Sequence, residues 1–258
     1  MSEKPEANGM IAVEDLLRAN GRIPSDEVWV HGMWTPRVWR ACWRALRAGR
    51  KLVRMTHGSL SPVYLTRQSP WKKRLVAPIE RFFFARAARV VVTGAWEEAW
   101  CRAWGLEGPF ETVDIKTFFD FPPPPTTLGI RPTGRPLRVL YLGRIHPLKG
   151  IDILQSAVKG LDIELRVESA AFGADKEAAF DWCDCLVLPT LSENFGLVVA
   201  EALMHGKPAL TTDGAPAWAN QPGVVFVKGY AAASREEQVA LLRQALETLV
   251  GGPSGENR

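Results

Sequence analysis

The sequence predicts an α/β protein of two Rossmann-like domains with parallel sheets, on three observations. Short β-branched and aromatic runs alternate with longer amphipathic stretches along all 258 residues, the strand–helix–strand order of a parallel sheet covered on both faces. A proline-rich break divides the chain near its middle. Hydrophobic residues make up 47% and charged residues 23%, enough apolar material for two modest cores and too little charge for a disordered polymer.

In the first half, strands are expected at Val28–Val30, Leu52–Met55, Val90–Thr93 and Thr112–Ile115, each a compact β-favouring run, with helices between them. The segment from Phe121 to Pro136 holds a run of four prolines and two more, and Pro both fixes φ and removes a donor, so neither a helix nor a central strand continues through it. The expected division is therefore a domain over residues 1–122, a linker over 123–136 and a second domain over 137–258. In the second half, strands are expected at Arg138–Leu142, Glu164–Val167, Cys185–Leu188, Ala209–Thr212 and Val224–Val227. Two such open sheets are expected to face a central cleft at the carboxyl ends of their strands, where α/β proteins bind ligands.

The net charge of +4 favours an acidic partner: nucleic acid, a phosphorylated substrate or an anionic membrane. The four cysteines, Cys42, Cys101, Cys183 and Cys185, lack a zinc spacing. Residues Met1 to Asn8 have no apolar core behind a basic head, so a reducing cytoplasm is expected. Arg and Lys interrupt every apolar run before it reaches the roughly eighteen residues of a membrane span.

The segment Leu188-Pro-Thr-Leu-Ser-Glu-Asn-Phe-Gly-Leu-Val-Val-Ala-Glu201 ends a strand, turns through a polar loop and opens a helix near Phe195 or Gly196. Glu193 falls at the helix mouth; Glu201 lies within the helix among Val198, Val199, Ala202 and Leu203. A carboxylate buried there needs a partner, and the vicinal hydroxyls of a ribose would serve. The helix start favours an anion through its free N–H groups and dipole. The segment Leu140-Tyr-Leu-Gly-Arg-Ile-His-Pro-Leu-Lys-Gly150 likewise turns from strand to helix and places Arg144 and Lys149 on its loop, a fork and a mobile point charge suited to a diphosphate. The alternative for these segments is an ordinary buried helix with one solvated Glu at its mouth and one salt-bridged Glu inside it, and solvated basic residues in a turn. His31 and His57 each follow a strand and precede Gly, where an open sheet presents functional groups; His146 and His205 read as bystanders. No Asp-x-Asp, Gly-x-Gly-x-x-Gly or Gly-Lys-Ser/Thr motif occurs, so neither a metal nor a dinucleotide is expected.

Gly143-Arg-Ile-His-Pro-Leu-Lys-Gly150 followed by Ser192-Glu-Asn-Phe-Gly-Leu-Val-Val-Ala-Glu201 resembles the paired signature of family-4 retaining glycosyltransferases of the GT-B fold. Thr211-Thr-Asp-Gly-Ala-Pro-Ala-Trp218, Val30-His-Gly-Met-Trp34 and Thr56-His-Gly-Ser-Leu-Ser-Pro62 are similar to segments of bacterial lipopolysaccharide and exopolysaccharide members. The resemblance implies a metal-independent hexosyltransferase without a cofactor, whose donor is a nucleotide-diphosphate sugar, foremost a UDP-sugar. The acceptor would be a saccharide or a lipid-linked one. It implies that Arg144 and Lys149, beside Gly143, hold the diphosphate, that Glu201 binds the ribose and that Glu193 faces the sugar. Asn194, Phe195, Gly196 and Leu197 would cap sugar and phosphate, and His57 would touch the sugar near the reacting carbon. Front-face displacement, with the leaving phosphate helping to deprotonate the acceptor, needs no carboxylate nucleophile; Glu193 as a nucleophile is the second reading.

From Pro36 to Ala48, Arg37, Arg40, Arg44 and Arg47 form one stripe opposite Val38, Trp39, Cys42, Trp43 and Leu46, and a second basic–aromatic run covers Trp71 to Phe84. Together they suggest peripheral docking on an anionic inner membrane face, against the alternative of solvated arginines over an aromatic core. Nucleic acid is disfavoured, because the aromatics share the inward faces. Against the family pattern, no opening strand and glycine-rich turn precede Val28, the run from Leu165 to Trp182 is too short for the usual strand–helix unit at the base, and the tail Gly251–Arg258 is too brief for a helix crossing back. A degenerate sugar-nucleotide-binding partner protein is therefore the second expectation.

Overall fold

The computed structural model describes residues 12–19, 21, 23–67, 69–123, 134–169 and 171–251. Most of the expected linker, the first residues and the tail beyond Gly251 lie outside the described residues. The chain divides into two compact units, Met1–Phe118 and Phe119–Arg258.

The first unit runs α1 (Ala12–Ala19), β1 (Glu27–His31), α2 (Pro36–Arg47), β2 (Lys51–Met55), α3 (Pro62–Arg67), α4 (Pro70–Phe84), β3 (Arg89–Val92), α5 (Ala95–Ala103) and β4 (Phe110–Thr112). Its strands form one parallel sheet in the order β1-β2-β3-β4, with Val28 opposite Leu52 and Val90 opposite Phe110. Val90, Val91 and Val92 are fully buried, the continuous apolar run of a strand covered on both faces. Helix α2 begins where Thr35 accepts a hydrogen bond from the Val38 amide and Pro36 supplies a preset φ; it buries Cys42 and Ala45 and turns its arginines outward. The fourth strand ends at Thr112, short of the expected Ile115. The Asp114 carboxylate accepts from the Lys116 amide at 3.1 Å, and that local turn leads into a 3₁₀ segment, Ile115–Phe118.

An ion pair invisible in the sequence pattern locks this unit. Arg54 and Glu80 are fully buried 3.0 Å apart, and Glu80 also accepts from the Trp34 amide at 2.6 Å and the Trp39 indole at 2.8 Å. Arg54 donates back to the Gly32 carbonyl at 3.0 Å and lies 4.8 Å from the centroid of Phe84. One carboxylate thus ties α4 to β2, α2 and the turn after β1.

The second unit runs β5 (Leu137–Leu142), α6 (Ile151–Ala157), β6 (Ile163–Glu168), α7 (Gly173–Trp182), β7 (Cys185–Leu188), α8 (Leu197–Met204), β8 (Ala209–Thr212), β9 (Val224–Val227) and α9 (Arg235–Gly251). Its parallel sheet has the order β6-β5-β7-β8-β9. The run from Leu165 to Trp182 lies in β6 and α7, and β6 extends the expected strand at Glu164–Val167 by one residue at each end. Gly173 makes the tight entry to α7 at φ +53°, and the Trp182 ring closes the unit beneath Arg138 and Arg166. After β5 the chain places β6 on one side and then returns to place β7 on the other. The loops following β5 and β7 therefore flank the topological switch point, where an open α/β sheet leaves a crevice.

Candidate functional site

Those two loops carry both sequence motifs, and the structure joins them. Beyond β5, Gly143 still donates to the Glu168 carbonyl, and the buried Tyr141 hydroxyl donates to the Arg144 carbonyl at 2.9 Å. Burial first, and the nearby charge of Glu193 second, push the Tyr141 phenol up to about 12, so it remains a donor. His146 caps a single 3₁₀ turn, Pro147–Lys149, by accepting from the Leu148 amide at 3.2 Å. Gly150 then takes a left-handed conformation at φ +65° to start α6. A side chain there would collide with the second loop, because a Cβ would stand 2.1 Å from the Pro189 carbonyl oxygen. The close approach is cemented by the Leu191 amide and the Thr190 hydroxyl, which donate to the Leu148 carbonyl at 2.8 and 3.0 Å.

On this frame Lys149 and Glu193, 44 residues apart in the chain, form a direct ion pair with both side chains largely buried. Glu193 also accepts from the Asn194 amide at 3.3 Å, while its own amide donates to the Gly214 carbonyl at 2.7 Å. The third motif is thereby brought in: the Thr211 hydroxyl donates to the Leu188 carbonyl, and the Trp218 indole donates to the Phe195 carbonyl at 2.5 Å. Phe195 and Trp218 pack with Phe119 and Phe121, ring centroids 5.0 to 6.4 Å apart, so the segment entering the unit braces the loop. Gly196 turns at φ +79° into α8, whose first turn has neither a side-chain cap nor an acidic residue. Leu197 opens that helix, and an anion at its mouth would meet uncapped amides.

Two site expectations change. Glu201 is not an interior acid: its side chain is 32% exposed and pairs with Lys176 of α7 at 3.0 Å. A helix eight residues long packed on one side leaves its second turn half open, which apolar neighbours in sequence conceal. Lys176 was missed, and nothing in its surroundings, Gly173-Ala-Asp-Lys-Glu177, marks it out. Of the two expected diphosphate cations, Lys149 is already paired, whereas Arg144 is exposed and makes no ion pair among the described residues. The site's acids offset Lys149 and Lys176, leaving Arg144 as uncompensated charge. Among the described residues, no group of three or more His, Cys, Asp or Glu is arranged to hold a metal ion.

In the first unit His57 follows β2 with φ +51°, a left-handed backbone that a non-glycine residue adopts only at a cost. Its neighbours are clamped by the buried Glu97, which accepts from the Thr56 hydroxyl at 2.5 Å, the Gly58 amide at 2.8 Å and the Thr93 amide at 2.8 Å. His57 Nε2 lies 2.7 Å from His31 Nδ1, and His31 Nε2 lies 2.6 Å from Glu14. His31, to which the resemblance gives no role, thus belongs to the same cluster. His205 pairs with Glu177, away from these loops.

With this geometry established, comparison with known proteins gives two matches in series. Residues 6–115 match the family described as glycosyl transferase 4-like domain, and residues 160–250 match glycosyl transferases group 1. Similar solved structures include sucrose-phosphate synthase from Thermosynechococcus elongatus, at 17% identity over 92% of this chain and 68% of that one, TM-score 0.59. Anabaena Alr3699/HepE in complex with UDP-glucose matches at 17% identity over 92% and 74%, TM-score 0.58. A trehalose-phosphate synthase from Burkholderia xenovorans matches at 11% identity over 92% and 71%, TM-score 0.59. At such identities the likeness establishes the fold, two α/β units of the GT-B type. Comparison of the sequence with curated proteins finds no match.

Proposed function

From two glycosyltransferase domains of the GT-B fold, we propose that this chain is a retaining glycosyltransferase. It moves a hexose or related sugar from a nucleotide-diphosphate sugar to a saccharide or lipid-linked acceptor in cell-surface polysaccharide synthesis. The observation that carries the reading is the meeting of the two charged loops at the switch point, where Lys149 pairs with Glu193 beside exposed Arg144 and the uncapped start of α8. A diphosphate there gains a guanidinium fork, an ammonium and helix amides, which disperse the charge growing on a departing nucleotide. The reading gives this task to side chains and not to a metal ion. The neighbour solved with UDP-glucose supports a UDP-sugar as donor.

Lys149 already has a counter-ion in Glu193, so an arriving phosphate shares that ammonium and leaves Glu193 free to accept from sugar hydroxyls. A carboxylate held by a lysine and a backbone amide is a poor nucleophile, which fits front-face displacement better than a covalent intermediate. The reading assigns Glu201 to the ribose, with Lys176 as the partner it has before the ribose arrives, and assigns His57 to the sugar.

The reading also includes peripheral attachment to an anionic membrane on its cytoplasmic side. Arg37, Arg40, Arg44 and Arg47 are exposed and make no ion pair among the described residues. On α4, Trp71, Leu75, Ile79 and Phe82 are exposed at 64, 73, 40 and 37%, spaced to share one helix face, and Trp43 of α2 lies beside Phe82. No helix of the described residues is long and apolar enough to cross a membrane.

The test is a panel of nucleotide sugars read by thermal shift and by donor hydrolysis with and without acceptor. At a donor concentration near 100 times Kd, the binding unit should gain about 2.7 kcal/mol. Absence of any shift across the panel would sink the proposal; a shift without hydrolysis or transfer would favour the non-catalytic binding protein.

A further inference from the structure

The hydrogen-bonded chain Glu14–His31–His57 has a polarity that follows from donor and acceptor arithmetic. A carboxylate only accepts, so His31 Nε2, 2.6 Å from Glu14, must carry the proton. Whenever His31 is neutral its Nδ1 is an acceptor, and the proton in the 2.7 Å contact then belongs to His57 Nε2. His57 is left with a lone pair on Nδ1. That atom is buried and has no hydrogen-bond partner in the protein, an exception among buried polar atoms that calls for a ligand or a purpose. The other carboxylate oxygen of Glu14 is occupied by Arg18 at 2.5 Å, which aims the acid at His31.

The surroundings hold the ring in place. The backbone of His57 is left-handed, and Glu97 of α5 grips both neighbouring residues. The rings of His31 and His57 lie with centroids 5.0 Å apart, tilted by 29°. The charged and titratable groups contacting this chain are Glu14 and Arg18 of α1, His31 of β1 and Glu97 of α5. Burial first, and His31 second, pull the His57 pKa down to about 3, so the ring stays neutral at working pH and serves as an acceptor, not as a proton store.

We propose that Glu14 and His31 are positioning residues for His57: they hold it as the neutral Nε2–H tautomer and so present Nδ1 to a hydroxyl of the sugar being transferred. The inference deepens the assignment of His57 to the sugar and rests on that reading. Neither Glu14 nor His31 would touch substrate; each acts through the next member of the chain.

The experiment uses the full chain labelled with ¹⁵N in the imidazole rings, observed by long-range proton–nitrogen correlation. His57 should show a protonated Nε2 and an unprotonated Nδ1 at neutral pH; a protonated Nδ1 overturns the proposal outright. Glu14→Gln keeps the shape but removes the charge that orients the chain, and should mix the two His57 tautomers. With the best donor, the same variant should lose about tenfold or more in kcat at little change in donor KM and thermal midpoint, the scale of one charge-coupled hydrogen bond. A Glu14→Gln protein with the wild-type tautomer and wild-type kcat would refute the positioning role. If the wild type transfers no sugar yet shows the tautomer pattern and loses it in Glu14→Gln, the transferase reading fails while the positioning of His57 stands.

Discussion

Replacing Gly150 by Ala should separate the two charged loops, and the cost can be built from the structure. Gly150 sits at φ +65°, where an L-residue pays roughly 1–2 kcal/mol. The new methyl would also stand 2.1 Å from the Pro189 carbonyl oxygen and 3.1 Å from the Tyr230 hydroxyl, and relieving such overlap costs about 1–3 kcal/mol more. The expected loss is therefore roughly 2–5 kcal/mol in the second unit, a large share of a domain's stability. Gly160 is the control: its φ is +75°, but nothing stands within 4 Å of a Cβ there, so Gly160→Ala should pay only the backbone part, about 1–2 kcal/mol. Urea unfolding followed by circular dichroism gives both numbers. Because Pro189 moves with the collision, the bond from Leu191 to Leu148 should lengthen, and nucleotide-sugar thermal shift should weaken in Gly150→Ala while surviving in Gly160→Ala. Equal losses in the two variants would refute the close approach of the loops and the reasoning built on it.

Four further predictions follow from the same geometry. Glu80→Ala should destabilise the first unit by about 3–5 kcal/mol because Arg54 is left charged and buried, whereas an apolar replacement of both residues should recover most of it; equal stability of the single and double variants argues against a buried pair. His57 has a folded pKa of about 3 against 6.5 in the open chain, so between these values the unfolded state binds the proton more readily. Stability is thus full above about pH 6.5 and falls by about 1.4 kcal/mol per unit as pH drops toward 3, a slope that should flatten in His57→Asn. Glu201→Ala should weaken donor binding by about 1.5–3 kcal/mol in calorimetry, and unchanged affinity would remove the ribose contact. Exchanging Arg37, Arg40, Arg44 and Arg47 for Gln should release the protein from anionic vesicles at low salt, at about 1 kcal/mol per charge; retention on the vesicles would mean that the arginine stripe does something else.

Eight of the nine expected strands lie within one residue of the observed bounds, and the central ones were legible because a parallel strand buried on both faces must be a short unbroken apolar run, as Val90–Val92 and Cys185–Leu188 are. The largest misplacement is β4, which covers Phe110–Thr112 where Thr112–Ile115 was expected; after Thr112 a local turn around Asp114 competes with strand pairing. The site loops were legible because charge and glycine placed directly after a buried strand have few structural uses. Glu201 misled for a related reason: apolar neighbours in sequence describe the buried side of a helix and say little about how open its far side is.

The chain's pattern by itself determined two parallel α/β units and charged loops at the ends of particular strands, since hydrophobic period and turn chemistry act over a few residues. Only the tertiary structure decided the partners: Lys149 with Glu193, Lys176 with Glu201, Arg54 with Glu80, and His57 with His31 and Glu14. Each pair lies 25 or more residues apart, save His31 and Glu14 at 17. Their meeting depends on strand order and register, which are properties of the packed sheet and leave no trace in the local run of side chains.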